Sequence, residues 1–111
     1  MNITVTVIDG VSGHPAEGVE VTVVGRFAGE ATRRVSGLTD SRGHFMYLPA
    51  AEWPSRGQYS VELDVDTYFA SLGILAGYKQ VATLVRVINT QTDFQIRTLI
   101  TPFAHATWSG Q

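Results

Sequence analysis

Hydrophobic and polar residues alternate with a period of two over most of the chain. Ile3, Val5 and Val7 alternate with Thr4 and Thr6, which predicts a half-buried strand whose second face is mildly polar. Asp9-Gly10 and Ser12-Gly13-His14-Pro15 then supply turn chemistry, because glycine accepts positive φ and proline fixes its own. Val19, Val21 and Val23 resume the alternation against Glu20 and Thr22. Residues 25–37 read as a glycine- and arginine-containing link without a clear period, part of it compatible with a third strand. Thr39-Asp40-Ser41-Arg42-Gly43 is a second strong turn.

After Pro49, Trp53-Pro54 and Gly57, the run Tyr59, Val61, Leu63 alternates with Ser60, Glu62 and Asp64. The one helix candidate follows. Asp66 or Thr67 is placed to cap it, Tyr68 to Leu72 would form its short body, and Gly73 is a natural stop. Residues 79–88 read as a long strand with Val81, Val85 and Val87 on one face, and Asn89 to Thr92 as a polar turn. Residues 93–100 form another strand, Thr101-Pro102 breaks it, and residues 103–108 run as the last. Seven or eight short strands with one brief helix predict an all-β sandwich or barrel.

The chain has 111 residues, enough for one core and too few for two domains, so residues 1–111 are expected to form a single domain. Hydrophobic residues make up 44% and charged residues 16%, well under the roughly 25% charged content usual in soluble domains. So little charge points to a surface partly covered by copies of the same chain. The formal net charge is −2 with no basic block, which speaks against nucleic acid as a partner, since that needs a phosphate-neutralising patch. There is no cysteine, which removes disulfides, thiolate catalysis and cysteine-ligated metals. The first residues pass directly into a strand pattern, and no apolar run approaches the ~18 residues of a membrane span. The expectation is a cytoplasmic protein with no membrane partner.

Three stretches together resemble one family. Val7-Ile8-Asp9, with Gly13-His14-Pro15-Ala16 and Gly18-Val19, is similar to the opening strand and turn of transthyretin-like proteins. Asp66-Thr67-Tyr68-Phe69-Ala70 with Leu72-Gly73-Ile74 resembles that family's single short helix. Leu99-Ile100-Thr101-Pro102-Phe103, followed by Thr107, resembles its Leu-Leu-Ser-Pro-Phe segment and the last strand leading into a signature tetrapeptide. The resemblance covers the chain in one order and at compatible spacing, with the 5-hydroxyisourate hydrolase branch as the nearest match. It implies a two-sheet sandwich, a homotetramer built as a dimer of dimers, and a central channel between subunits. In the hydrolase branch that channel holds active sites; in the hormone-carrier branch it binds flat aromatic ligands.

The hydrolase branch places a histidine on its first strand, an arginine after the second turn, a histidine on the penultimate strand and a Tyr-Arg-Gly-Ser tail. Carried over one position at a time, the first histidine falls on Thr6, the arginine on His44 and the second histidine on Gln95. The tetrapeptide falls on Trp108-Ser109-Gly110-Gln111, where only the glycine matches. Ring opening of hydroxyisourate requires water to be deprotonated and developing charge to be stabilised, and neither threonine nor glutamine exchanges a proton near neutral pH. The pattern argues for a retained fold with a rebuilt site.

Period-two alternation sets Arg97 on the face of Gln95, Ala106 on that of Trp108, and Thr4, Thr6 and Ile8 together. The expected channel thus carries Thr6, His44, Gln95 and Arg97 as candidate catalytic residues, with Ile8, Ala106, Trp108 and Ser109 as substrate contacts. A buried arginine costs several kcal/mol unless an anion meets it, so Arg97 asks for a carboxylate, phenolate or enolate.

Each residue also has an ordinary reading. His44 follows a turn, where a solvated histidine is usual; Arg97 can pair with Asp93 or Glu62; Trp108 can plug the channel or pack at an interface. Gln95 and Thr6 are common polar strand residues, and Ser109 and Gln111 can fray. His14 and His105 read as structural, and Asp64 and Asp66 as caps. The three histidines fall on unrelated elements, with no metal-ligand spacing and no sign of a cofactor. The leading functional reading is a divergent hydrolase-like enzyme for a small planar anionic or enolisable molecule, acting by hydrolysis, cyclisation or ring rearrangement, with secondary metabolism as a setting. The alternatives are a non-catalytic carrier, an authentic 5-hydroxyisourate hydrolase and a purely structural assembly domain.

Overall fold

The computed structural model describes residues 2–26, 29, 31–47, 56–88 and 92–111. The Pro49 and Trp53-Pro54 breaks and the Asn89–Gln91 part of the expected polar turn lie outside the described residues. The elements are β1 (Ile3–Asp9), β2 (Glu20–Arg26), β3 (Arg33–Leu38), β4 (His44–Tyr47), β5 (Gly57–Asp64), α1 (Val65–Ser71), β6 (Gln80–Val87), β7 (Phe94–Ile100) and β8 (His105–Gly110). They form two four-stranded sheets in the orders β4-β1-β7-β8 and β3-β2-β5-β6. All pairings are antiparallel except β1 with β7. The fold is an all-β sandwich.

The alternation read along the chain is what holds the sheets together. Ile3, Val5, Val7, Ile96 and Ile100 point inward from one sheet, and Val21, Val23, Tyr59, Val61, Leu63, Val81 and Val87 from the other; all are essentially fully buried. Each such side chain contributes on the order of 1.5–3 kcal/mol of transfer free energy. Because successive strand residues point to opposite faces, the same alternation fixes what the sheets present outward. A β1 that buries Ile3, Val5 and Val7 must show Thr4, Thr6 and Ile8 on its other side.

Two local sequences behave differently from expectation. The segment 25–37 contains the end of β2 and most of β3, whose inward residues Arg33, Val35 and Gly37 are only half buried. A strand with one apolar side chain on its inner face shows no hydrophobic period. The helix begins earlier than a cap at Asp66 or Thr67 would give: Asp64, the other aspartate read as a cap, is the N-cap, its carboxylate accepting the Thr67 N–H at 3.0 Å and the Thr67 hydroxyl at 2.8 Å. At the far end Gly73 takes φ of 75°, with Gly73 N–H bonded to Ala70 O and Ile74 N–H to Phe69 O, both at 2.9 Å. These are the paired bonds that close a helix through a left-handed glycine.

Two buried polar groups tie the turns to the sandwich. Thr39 Oγ1 accepts the Val19 N–H at 2.9 Å and donates to Ala16 O at 2.7 Å, where the chain crosses from β3 to β4. Asp9, at the end of β1, accepts the Val11 and Ser12 N–H groups on Oδ1 and the Tyr68 hydroxyl on Oδ2 at 2.8 Å, joining α1 to the first turn. Desolvation first, and the Asp9 carboxylate second, push the Tyr68 hydroxyl up to about 12.

Candidate functional site

The outward face of the β4-β1-β7-β8 sheet is organised in rows across the strands. His44 on β4 stands opposite Thr6 on β1, Thr6 opposite Arg97 on β7, and Arg97 opposite Trp108 on β8. One row thus holds a titratable imidazole, a hydroxyl, a fixed cation and an indole, contributed by four strands from four separate parts of the sequence. Neighbouring strands lie about 4.8 Å apart, so the row spans roughly 15 Å. Directly beside it runs Met46, Thr4, Gln95 and Gly110. On the other side come Ile8, Leu99 and Ala106.

Within this face Arg97 Nη2 donates to Gln95 Oε1 at 3.1 Å. With its oxygen accepting that bond, the Gln95 amide keeps its N–H groups as donors beside the remaining N–H groups of Arg97. The pair is therefore a donor cluster suited to a carboxylate or enolate. Glu62 belongs to the other sheet, as the partner of Thr22 and Ala82, and Asp93 instead accepts the Asn2 N–H at 3.0 Å. Gln95, Arg97 and Trp108 line an open depression of about 740 Å³ that continues along Thr92, Asp93, Ser109, Gly110 and Gln111. Trp108 is 61% exposed there, so its ring is free to stack.

The β3–β4 turn positions His44. Asp40 Oδ1 accepts the Arg42 N–H at 2.9 Å and the His44 N–H at 3.0 Å, and these two bonds, that of His44 first, lower its carboxyl below the usual value. Gly43 takes φ of 74°, and its carbonyl accepts the Val7 N–H at 2.8 Å, which locks β4 onto β1 in the register that faces His44 with Thr6.

Of the candidate residues, Thr6, His44, Gln95, Arg97, Ile8, Ala106 and Trp108 lie on this one face. Ser109 stands opposite the buried Ile96 and leaves β8 from the other side, yet it borders the depression because β8 is an edge strand. Met46, Leu99 and Asp93 share the face without having been singled out; stepping two residues from His44, from Arg97 and from Gln95 would have found them. His14 is exposed in the first turn. His105 stands opposite Ile100 with its ring 5.6 Å from that of Tyr78. Among the described residues, no group of three or more histidine, aspartate or glutamate side chains is arranged to hold a metal ion. No helix among them is long and apolar enough to cross a membrane.

Comparison with known proteins places this geometry among relatives. The family model described as HIUase/Transthyretin family matches residues 3–110. Transthyretin from Sparus aurata is similar at 23% identity, covering 97% of this chain and 95% of its own, with a TM-score of 0.86. Sea bream transthyretin in complex with thyroxine gives the same identity and TM-score, covering 97% of this chain and 93% of its own. The 5-hydroxyisourate hydrolase of Klebsiella pneumoniae is 24% identical, covers all of both chains and has a TM-score of 0.80.

Proposed function

Because the chain belongs to the HIUase/Transthyretin family, we propose that it is a divergent hydroxyisourate-hydrolase-like enzyme acting on a small planar anionic or enolisable metabolite. The observation that carries this reading is the single cross-strand row His44–Thr6–Arg97–Trp108. His44 accepts a proton from water or from the enolisable position and returns it to the heteroatom that leaves. Arg97 holds the negative charge that develops, Gln95 and Thr6 orient the substrate or water, and Trp108 stacks on its ring. Hydrolysis, cyclisation and ring rearrangement all fit such a set, without a cofactor. Two such faces set opposite each other in a homotetramer, a dimer of dimers, would enclose the row in a channel, in a soluble, cytoplasmic and biosynthetic setting.

A carrier is the second reading. It is favoured by the three rows holding a single ordinary acid–base side chain, His44, and by a relative solved with thyroxine. It needs Arg97 and Trp108 but not His44.

The test is to incubate the protein with hydroxyisourate generated in place and with a panel of anionic bicyclic aromatics. Absorbance follows ring opening, and tryptophan fluorescence follows binding. The enzyme reading expects turnover of at least one compound, lost in His44→Ala while binding is kept. Binding without turnover in either protein makes it a carrier. Fast hydroxyisourate opening would mean the parent activity survives on new residues.

A further inference from the structure

The opposite side of the sandwich has a pattern of its own. The outward residues of the β3-β2-β5-β6 sheet also fall in rows, and their charges separate by end. Two rows carry Leu38, Glu20, Asp64 and Gln80, then Ser36, Thr22, Glu62 and Ala82. The next two carry Arg34, Ser60 and Leu84 around Val24, which is itself buried in the single chain, then Arg26, Gln58 and Arg86. One half of the face therefore holds Glu20, Glu62 and Asp64, and the other half Arg26, Arg34 and Arg86. The one ion pair among the described residues is Lys79 with Asp66 at 3.6 Å, so none of these six is paired with another. A depression of about 430 Å³ lies over the acidic half, bordered by Glu20, Glu62, Asp64 and Arg34.

We propose that this face docks a second copy of the chain, turned end for end by a two-fold axis that lies in the interface across the strands. That operation lays each strand over its own copy running the other way, and exchanges the acidic and basic halves. Glu20 then meets Arg26 of the second copy, Asp64 sits between that copy's Arg26 and Arg86, and Ala82 meets Leu84, which is 64% exposed in the single chain. Every contact occurs twice, as an isologous interface requires. A two-fold axis along the strands would instead set the basic half on the basic half and the acidic half on the acidic half, so charge selects one orientation. The face measures roughly 20 by 24 Å from strand spacing and rise, the small end for a specific interface, which makes the association weak, steered by charge and sensitive to salt. It is independent of the proposed enzymatic face, which belongs to the other sheet.

The test uses the full chain in sedimentation velocity over a concentration series. At about 20 mM salt the weight-average mass is expected to rise with protein concentration above that of the species present at about 500 mM, where screening is nearly complete. Glu20→Arg sets two guanidinium groups opposite each other and Arg26→Glu two carboxylates; each is expected to weaken this low-salt association at least tenfold. The double variant Glu20→Arg/Arg26→Glu recreates both attractive pairs with reversed polarity and is expected to restore it. Backbone NMR shifts on lowering the salt are expected on β2, β5 and β6. Association that ignores salt, a double variant no better than the singles, or shifts on β1, β7 and β8 would each overturn the proposal.

Discussion

Arg97 is the residue on which the proposed binding rests, because its charge cannot be titrated away. In the open depression its guanidinium is solvated on one side and bonded to Gln95 on the other. A ligand that covers it must supply negative charge or pay several kcal/mol for desolvation. Arg97→Met is therefore expected to weaken binding of an anionic bicyclic aromatic at least tenfold, about 1.4 kcal/mol, and to change that of a neutral isostere far less; fluorescence titration reads both. Tyr68 acts at the same scale but on stability. Its hydroxyl donates to Asp9, and Tyr68→Phe is expected to cost about 1–2 kcal/mol of unfolding free energy in urea at neutral pH. The folded hydroxyl is raised from about 10 to about 12, so its contribution is complete below pH 10 and is lost as pH rises through 12. The stability difference between wild type and Tyr68→Phe should hold steady to about pH 10 and shrink above it.

Elements are joined by glycines that share one backbone conformation and differ in surroundings. Gly73 ends α1 at φ 75°, and a Cβ there would meet nothing within 4 Å. Gly43 holds φ 74°, but a Cβ there would run into the Val7 carbonyl oxygen. Gly73→Ala is thus expected to cost about 1 kcal/mol, the left-handed penalty less the gain from a stiffer unfolded chain. Gly43→Ala adds a collision to that penalty and is expected to cost about 2–4 kcal/mol and to disturb His44, the next residue; urea melts and His44 NMR shifts report the two effects. The sequence pattern conveys these elements unevenly, for physical reasons. β1, β2, β5 and β7 bury one full face, so alternation alone reveals them and which of their residues point outward. Asp64 is the last polar step of β5 in the alternation, and its place just before the helix is what reads as a cap, which its carboxylate is. β3 buries too little to show a period. The order β4-β1-β7-β8, which brings His44, Thr6, Arg97 and Trp108 into one row, depends on non-local pairing that no single strand encodes, and only the family resemblance suggested it.

At the scale of the molecule the two outward faces divide the chemistry. The β3-β2-β5-β6 face carries Glu20, Glu62, Asp64, Arg26, Arg34 and Arg86, whereas on the three rows of the β4-β1-β7-β8 face Arg97 is the one permanently charged side chain. That second face exposes Ile8 at 39%, Met46 at 58% and Trp108 at 61%. These apolar side chains stand around the polar centre formed by Thr4, Thr6, Gln95 and Arg97, and a ligand or another subunit that covers the face removes them from water. Water would wet a charged face at little cost, while burying Met46, Ile8 and Trp108 gains roughly 25 cal/mol for each Å² removed. Assembly through the site-bearing face is accordingly expected to persist in high salt, where the charged face no longer attracts its copy. Trp108 gives the readout, because Trp53→Phe leaves it the sole tryptophan. In that variant acrylamide quenching at about 500 mM salt should be slow at high protein concentration and faster on dilution. An equal and fast rate at every concentration would mean that the face stays open, and that the row from His44 to Trp108 works, if at all, from one chain alone.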